Sequence, residues 1–185
     1  MEALYKNIHQ DVIDRCRAGE REAQFQLYKI YYQSMYNTSL RIVGNSTEAE
    51  DVMQEAFLSA FKKIETYAGQ VSFGAWLKKI VVNRSLDYLK KRRVQFEELD
   101  ERLADETEAP MMEPQGVDVQ KIKKAIFKLP EGYRVVLSLY LLEGYDHDEI
   151  SEILNISNSS SRSQLLRAKK KLREYLLKDE VFSIN

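Results

Sequence analysis

A run of small polar and basic residues carries the side chains best suited to chemistry on a nucleic acid. The run reads SSSRSQLLRAKKKLR from Ser159 to Arg173. Hydroxyl and amide groups hydrogen-bond to base edges and phosphates, and small side chains let a helix approach the major groove closely. Lysine and arginine further along the run suit phosphate contact. The residues that we predict to contact DNA are Ser159, Ser160, Arg162, Ser163, Gln164, Arg167, Lys169 and Lys170.

Two short helices joined by a tight turn would position these side chains. Asp146 and Glu149 have the spacing of a capping box at the start of the first helix. Asn155 can adopt the left-handed conformation that ends it, and Ser157 is a natural N-cap for the second helix. The pattern predicts a helix-turn-helix, and the alternative is a serine linker before a solvated basic helix. The apolar side of the second helix would hold Leu165, Leu166 and Leu172.

A second basic face lies on a helix that begins near Ala75. An aromatic ring interleaved with bases offers melting DNA a surface for stacking and cations for its backbone. For Trp76 alone a core position is the better interpretation, whereas the whole stripe favours nucleic acid. The predicted contacts of this face are Trp76, Lys79, Asn83, Arg84, Lys90, Lys91 and Arg92.

An acidic patch with one apolar residue occupies one face of the preceding helix, opposite its buried stripe. It comprises Asp51, Gln54, Glu55 and Leu58. A solvated face is the ordinary interpretation of such a patch. The more specific hypothesis is that the patch is a docking surface for a basic protein partner.

Composition narrows the class of protein. The chain has 185 residues, a formal net charge of -1, and only 7 glycines and 3 prolines, which favours helices. Cys16 is the single cysteine and His9 and His147 are the only histidines, so we expect no metal site and no cofactor. Neither a signal peptide nor a run able to span a bilayer is evident, and we predict a soluble cytoplasmic protein.

Hydropathy and charge divide the chain into three parts, and the predicted fold class is all-α. A helical domain covers residues 8–93, an acidic flexible linker 94–118, and a smaller helix-turn-helix domain 119–177. In the first domain the apolar residues that fall near helical spacing are Ile13, Phe25, Leu27, Ile30, Tyr31, Met35 and Leu40.

Four segments together resemble the extracytoplasmic-function (ECF) group of bacterial sigma factors. They read STEAEDVMQEAFLSAFKKI, FGAWLKKIVVNRSLDYLKKRR, LPEGYRVVLSLYLLEGYDHDEISEILNIS and SRSQLLRAKKKLREYL, in the family's order. The resemblance implies a dissociable subunit of RNA polymerase that is not an enzyme and takes no small-molecule substrate. The first domain would bind and help open the promoter −10 element, and the helix-turn-helix would bind the −35 element.

Further roles are implied by the same resemblance. The helix with Asp51, Gln54 and Glu55 would dock on the clamp helices of the largest polymerase subunit, and the second domain would meet the flap of the β subunit. The loop 66–72 would capture a base flipped from the −10 element, beside Asn83. The acidic linker would thread toward the active-site channel of the polymerase. An anti-sigma factor is a further implied partner.

One departure from the family concerns the recognition helix. The family commonly reads Thr-Val-Lys-Ser-Arg-Leu where this chain has SSRSQL, so an apolar position has become Ser161 and an arginine has become Gln164. Two other classes of protein stay open at this point, a stand-alone helix-turn-helix regulator and a protein-binding helical adaptor. An enzyme is disfavoured, since the sequence has no glycine-rich phosphate loop, nucleophile elbow or metal set.

Replacing Gln164 by alanine should change the preferred −35 sequence, because glutamine bonds adenine bidentately where arginine prefers guanine. A base-substitution scan of the −35 element, with wild type and Gln164→Ala compared on the same templates, measures this. An unchanged preference would contradict the assignment.

Overall fold

The computed structural model describes residues 7–97 and 117–181, with side chains from 7 to 92 and from 119 to 177. In these ranges the regular secondary structure is entirely helical, so the predicted all-α class is confirmed. The helices form two compact units, which hold α1–α4 and α5–α8. The first unit contains α1 Gln10–Arg17, α2 Arg21–Val43, α3 Ser46–Lys62, a 3₁₀ turn Ile64–Thr66 and α4 Phe73–Glu97. The second contains α5 Val117–Phe127, α6 Glu131–Leu141, α7 His147–Leu154 and α8 Asn158–Val181.

The core of the first unit is aliphatic at its centre and aromatic toward the loop before α4. Phe57 of α3 meets Tyr28 of α2 edge-on at 4.9 Å between ring centres. Burying one such aromatic side chain stabilises the fold by about 1.5–3 kcal/mol. The large side chains fully buried in this core are Ile13, Leu27, Met35, Met53, Phe57, Phe73 and Leu77.

Two of the apolar positions on α2 lie outside this core. Phe25 is 53% exposed and Ile30 is 42% exposed. Buried positions on α2 recur every four residues through Ala23 and Leu27, so the inward face turns away from Ile30 and leaves Phe25 on the opposite side. There the Lys29 ammonium lies 4.4 Å from the centre of the Phe25 ring.

The core of the second unit joins α5, α6 and α8. Its buried residues are Ile126, Leu129, Val136, Leu137, Leu165 and Ala168. The predicted apolar side of α8 is correct for Leu165 and Leu172, which packs against the same cluster. It is wrong for Leu166, which is 72% exposed. Successive residues of a helix are rotated by about 100°, and α8 packs on the side of Leu165 and Ala168, which leaves Leu166 facing solvent.

The caps predicted for the helix-turn-helix are confirmed. The Asp146 side chain accepts from the Glu149 N–H at 2.8 Å, and the Glu149 carboxylate accepts from the Asp146 N–H at 2.9 Å. Asn155 ends α7 in the left-handed conformation with φ 52°. Ser157 Oγ accepts from the Ser160 N–H at 3.0 Å, one turn into α8. The serine run therefore begins a capped helix instead of extending a linker.

Helix occupies both ends of the segment predicted as linker. α4 continues to Glu97 and α5 begins at Val117, so the predicted boundaries 94 and 118 fall inside helices. The acidic residues between 98 and 116 lie outside the described residues. Within 7–97 and 117–181, none of the helices has the length and apolar character needed to cross a membrane.

Removing the cap at Asp146 should destabilise the second unit. Asp146→Ala leaves the first amides of α7 without their acceptor, which costs about 1 kcal/mol in the free energy of unfolding, whereas Asp146→Asn keeps an oxygen at the cap. Urea denaturation followed by circular dichroism measures the loss. The control is Glu152→Ala, which removes an exposed carboxylate of α7 away from the cap. Equal effects of Asp146→Ala and Glu152→Ala would contradict the capping argument.

Candidate nucleic-acid and protein interfaces

The first turn of α8 is organised around the Ser157 hydroxyl. Ser159 Oγ lies 2.9 Å and Ser160 Oγ 2.8 Å from Ser157 Oγ, so the three hydroxyls form one cluster. Ser159 is exposed, whereas Ser160 is half-buried. Both predicted contact residues therefore sit at the end of the helix that a helix-turn-helix inserts into the groove.

Arg162 is hydrogen-bonded to Asn158, a residue that was not among the predicted site residues. Its Nε donates to Asn158 Oδ1 at 2.7 Å, and the Asn158 amide nitrogen donates in turn to Asp148 Oδ1 of α7. The Arg162 side chain is exposed. A basic residue at i+4 from an asparagine was the one sequence signal for this pair. The chain from Asp148 through Asn158 orients the guanidinium before any ligand is bound.

Ser161, the position that departs from the family, is fully buried between the two helices. Its Oγ lies 2.9 Å from His147 Nδ1 of α7. The His147 ring stacks on Tyr140 of α6 at 4.6 Å between centres. The buried hydroxyl is thus hydrogen-bonded, as a buried polar group must be to avoid a large desolvation cost. This polar contact takes the place of apolar packing inside the helix-turn-helix.

Gln164 was predicted to face DNA and Leu166 to lie on the apolar side of α8, and the structure leaves Leu166 more exposed than Gln164. Gln164 is half-buried, and its Oε1 lies 3.8 Å from the position that a Cβ on Gly132 of α6 would occupy. Leu166 instead projects into solvent at 72% exposure. The role of Gln164 in base recognition stays a prediction. Leu166 shares its helix face with Arg162, Ser163 and Lys170, at spacings of three and four residues.

The remaining predicted residues of α8 continue the basic face. Ser163, Arg167, Lys169 and Lys170 are all exposed. The Lys169 ammonium lies 5.7 Å from the centre of the Tyr140 ring. Exposed cations in successive turns suit the sugar–phosphate backbone that borders the groove.

The α4 face predicted to contact DNA separates into a packed end and an exposed stripe. Trp76 is half-buried, with ring centres 5.3 Å from Tyr67 and 5.5 Å from Phe73. Lys79, Asn83 and Lys90 are exposed on the same helix face. Trp76 and Lys90 are separated by about 21 Å along the axis, at 1.5 Å per residue. The stripe is long enough to follow several nucleotides of one strand.

Two of the basic residues that flank this stripe, Arg84 and Arg92, contact α3. Arg84 is exposed, yet its Nη2 reaches Ser59 Oγ at 3.4 Å, and Lys91 is exposed as well. Arg92 Nη1 forms an ion pair with Glu48 Oε2 at 3.1 Å. Burial and then a hydrogen bond with Glu48 raise the pKa of Tyr88 to about 12, so its phenol is neutral at physiological pH. The predicted role of Arg92 in DNA binding therefore competes with a contact to α3.

The acidic patch of α3 is exposed as the sequence predicted. Asp51, Gln54 and Glu55 are exposed, and Leu58 is 61% exposed beside them. Gln54 Nε2 approaches Glu50 Oε1 at 3.5 Å. The opposite face, with Met53, Ala56 and Phe57, is buried in the core. A leucine that stays exposed among carboxylates is suited to contact with a partner.

The described parts of the chain carry no metal-binding cluster beside these surfaces. Within residues 7–92 and 119–177, the histidine, cysteine, aspartate and glutamate side chains form no group that could hold a metal ion. Cys16 is buried, and burial raises the pKa of its thiol. A protonated, inaccessible thiol is a poor nucleophile.

Two family models match the chain in succession. Sigma-70 region 2 matches residues 27–94, and Sigma-70 region 4 matches residues 119–172. The match to region 2 takes in most of α2, all of α3 and most of α4, and the match to region 4 includes the helix-turn-helix. α1 lies before the first matched residue.

Curated relatives extend the similarity over most of the chain. The ECF RNA polymerase sigma factor SigW of Bacillus subtilis is 30% identical over 178 residues, which cover 89% of this chain and 94% of the relative. The ECF RNA polymerase sigma-E factor of Escherichia coli K12 is 27% identical over 86% of this chain and 90% of the relative.

Solved structures show the same fold at lower identity. The sigma factor RpoE of Bartonella quintana, solved with the anti-sigma factor NepR, has a TM-score of 0.62 and 22% identity over 83% of this chain and 95% of that chain. CnrH, solved with the cytosolic domain of CnrY, has a TM-score of 0.53 and 21% identity over 91% and 96%. The ordered motifs, the two helical units and these relatives lead to one conclusion: the chain belongs to the ECF group of RNA polymerase sigma factors.

Proposed function

We propose that this chain binds core RNA polymerase and selects promoters through two separate DNA-binding faces, one on each helical unit. The observation that carries the proposal is the pairing of an exposed basic helix face with each of the two matched regions. The division into domains at 8–93, 94–118 and 119–177 belongs to the same proposal. The chain then acts in transcription initiation in the cytoplasm, without a catalytic step of its own.

The −35 element is assigned to α8. The capped first turn and the oriented Arg162 support insertion of this end of the helix into the major groove. Arg162 can bond guanine, and Ser163 can bond either base edges or phosphate. Leu166 adds an exposed apolar side chain to the same face, which suits contact with a thymine methyl group.

The −10 element is assigned to α4 and the loop before it. The stripe formed by Lys79, Asn83 and Lys90 supports contact with the backbone and bases of a separated strand. The loop residues Ala68 and Val71 are exposed next to the aromatic cluster. Unstacking a base costs a few kcal/mol, which stacking and hydrogen bonds in such a site can offset.

Two protein partners complete the proposal. The face with Asp51, Gln54, Glu55 and Leu58 would bind the clamp helices of the largest subunit of core polymerase, and the second unit would meet the β flap. An anti-sigma factor is proposed as the second partner, because RpoE and CnrH were solved with NepR and with the cytosolic domain of CnrY. Such a partner would cover the faces that otherwise bind polymerase and DNA.

Transcription with purified core polymerase over a random promoter library tests the function. We expect run-off products from a subset of templates that share two separated sequence elements. Binding of the chain to duplex DNA without polymerase, together with no transcription, would favour the stand-alone regulator instead.

Reversing two charges on α3 should weaken binding to core polymerase. Asp51→Lys with Glu55→Lys puts cations against a basic partner, and we expect at least about a tenfold rise in Kd, since like charges at an interface repel strongly. Fluorescence anisotropy of the labelled chain with core polymerase, in the absence of DNA, measures the affinity. The control is Asp11→Lys with Glu65→Lys, which makes the same change in net charge at exposed carboxylates elsewhere. Equal Kd values for the two double variants would reject this face.

Shortening Leu166 should reduce a base preference in the −35 element. We expect Leu166→Ala to lower the preference for thymine at one position about threefold. This change corresponds to the free energy of burying roughly one methylene group. A −35 substitution scan with the polymerase complex measures the preference. Leu177→Ala is the matched control, because Leu177 is 55% exposed on the same helix beyond the basic run. Identical base profiles for the two variants would remove Leu166 from the DNA-binding face.

A further inference from the structure

The loop between the 3₁₀ turn and α4 is held at both ends while its middle faces solvent. The side chains of Ala68 and Val71 are exposed, Val71 to 47%. Gly69 supplies a positive φ of 73° at the bend, a conformation that residues with a Cβ rarely adopt. A short loop with exposed side chains would sample many conformations unless other residues restrained it.

Tyr67 provides the first restraint. It is 2% exposed, and its ring packs edge-on against Phe73 at 5.5 Å with an interplanar angle of 89°. Its hydroxyl donates to the Val71 carbonyl oxygen at 2.6 Å. One buried side chain therefore closes the loop across four residues.

Asn7 provides the second restraint, although it lies 60 residues before Tyr67 in the sequence. Its Nδ2 donates to the Tyr67 hydroxyl at 2.8 Å, and its Oδ1 accepts from the Phe73 N–H at 2.9 Å. Asn7 is 7% exposed, so both bonds form away from bulk water. A single amide thereby joins the residue before the loop to the first residue of α4.

The helix that follows Asn7 adds a third contact. Arg17, at the end of α1, donates from Nη2 to the Tyr67 carbonyl oxygen, and its guanidinium carbon lies 5.7 Å from the Tyr67 ring centre. Asn7 precedes α1 and Arg17 is its last residue, and both contact Tyr67. The loop is therefore braced by a segment that lies wholly before the region 2 match at 27–94.

Two physical roles are possible for these bonds. A residue that only stabilises the core would affect every activity of the chain equally. Asn7, however, bonds the loop at its two ends, where a change in hydrogen bonding alters the loop backbone first. The Ser72 hydroxyl caps α4 independently, by accepting from the Ala75 N–H at 3.2 Å, so α4 keeps a cap when Asn7 is replaced.

We propose that Asn7, acting through Tyr67, is a positioning residue that holds the 68–72 loop in the conformation that accepts an unstacked −10 base. The proposal rests on the promoter-binding function argued above. Ordering the loop during folding removes an entropy cost that would otherwise fall on DNA binding. The base preference in the −10 element would then depend on a segment that touches no DNA itself.

The test uses the full chain with core polymerase and a promoter selected by the wild-type protein. Fork-junction DNA with a single-stranded −10 segment is made with each of the four bases at every position. We expect Asn7→Ala and Tyr67→Phe each to reduce the discrimination at one position about tenfold, as for loss of a buried hydrogen bond. The double variant should lose less than the sum of the two single losses, because both changes break the shared bond between Asn7 and Tyr67.

The control is Ile13→Val, which weakens the same core from within α1 and removes no hydrogen bond to the loop. A uniform loss of affinity for all four bases, equal in Asn7→Ala and Ile13→Val, would show a purely structural role and overturn the proposal. Unchanged discrimination in Asn7→Ala would overturn it as well.

Amide hydrogen exchange of the free chain separates this proposal from the proposed function. We expect Asn7→Ala to raise exchange at residues 68–73 and to leave α3 unchanged. A loop that exchanges as in wild type contradicts the positioning role whatever the DNA results are. A different pair of results would reject base capture as the function of the loop. In that case the loop exchanges faster in Asn7→Ala, but the wild-type complex shows no base preference in the −10 segment.

Discussion

The first amides of a helix have no carbonyl partner within the helix, and this constraint governs both proposed DNA-binding helices. α8 meets it with the Ser157 hydroxyl, and α4 meets it with Ser72 together with the distant Asn7. In each case the acceptor also fixes the backbone of the segment that leads into the helix. The rigid parts of the two surfaces are therefore their helix starts, and the side chains that would reach DNA begin there and continue along each helix to Lys90 and Lys170.

Charge is segregated by helix face and leaves little net charge. A formal charge of -1 gives no bulk attraction to DNA, yet Lys79 and Lys90 are exposed along α4, and α8 exposes the cations of Arg162, Arg167, Lys169, Lys170 and Arg173. Asp51 and Glu55 are exposed on α3, whereas Glu48 of the same helix pairs with Arg92 of α4. Fields from exposed charges decay within about 10 Å at moderate salt, so in the proposed function each face would act mainly on its own partner. The proposed function thus gives one small unit two partners, a basic protein and an acidic polymer.

The helix-turn-helix shows how a polar substitution is accommodated inside a recognition motif. Ser161 is buried where the family commonly carries an apolar side chain, and His147 supplies the partner that its hydroxyl needs. Tyr140 covers the other side of the histidine ring. Removal of either polar partner would leave the other without a hydrogen bond, so the two residues form one structural unit.

Sequence by itself determined the helical class, the two basic faces, the acidic face and the caps at Asp146 and Ser157, because these depend on spacings of three or four residues within one helix. Only the tertiary structure decided which of two adjacent leucines, Leu165 or Leu166, is exposed and where Gln164 lies. It also brought Asn7 to Tyr67 and Phe73, across 60 and 66 residues of sequence. Periodicity carries no information about contacts at such separations, which arise when helices pack and every buried donor must find an acceptor.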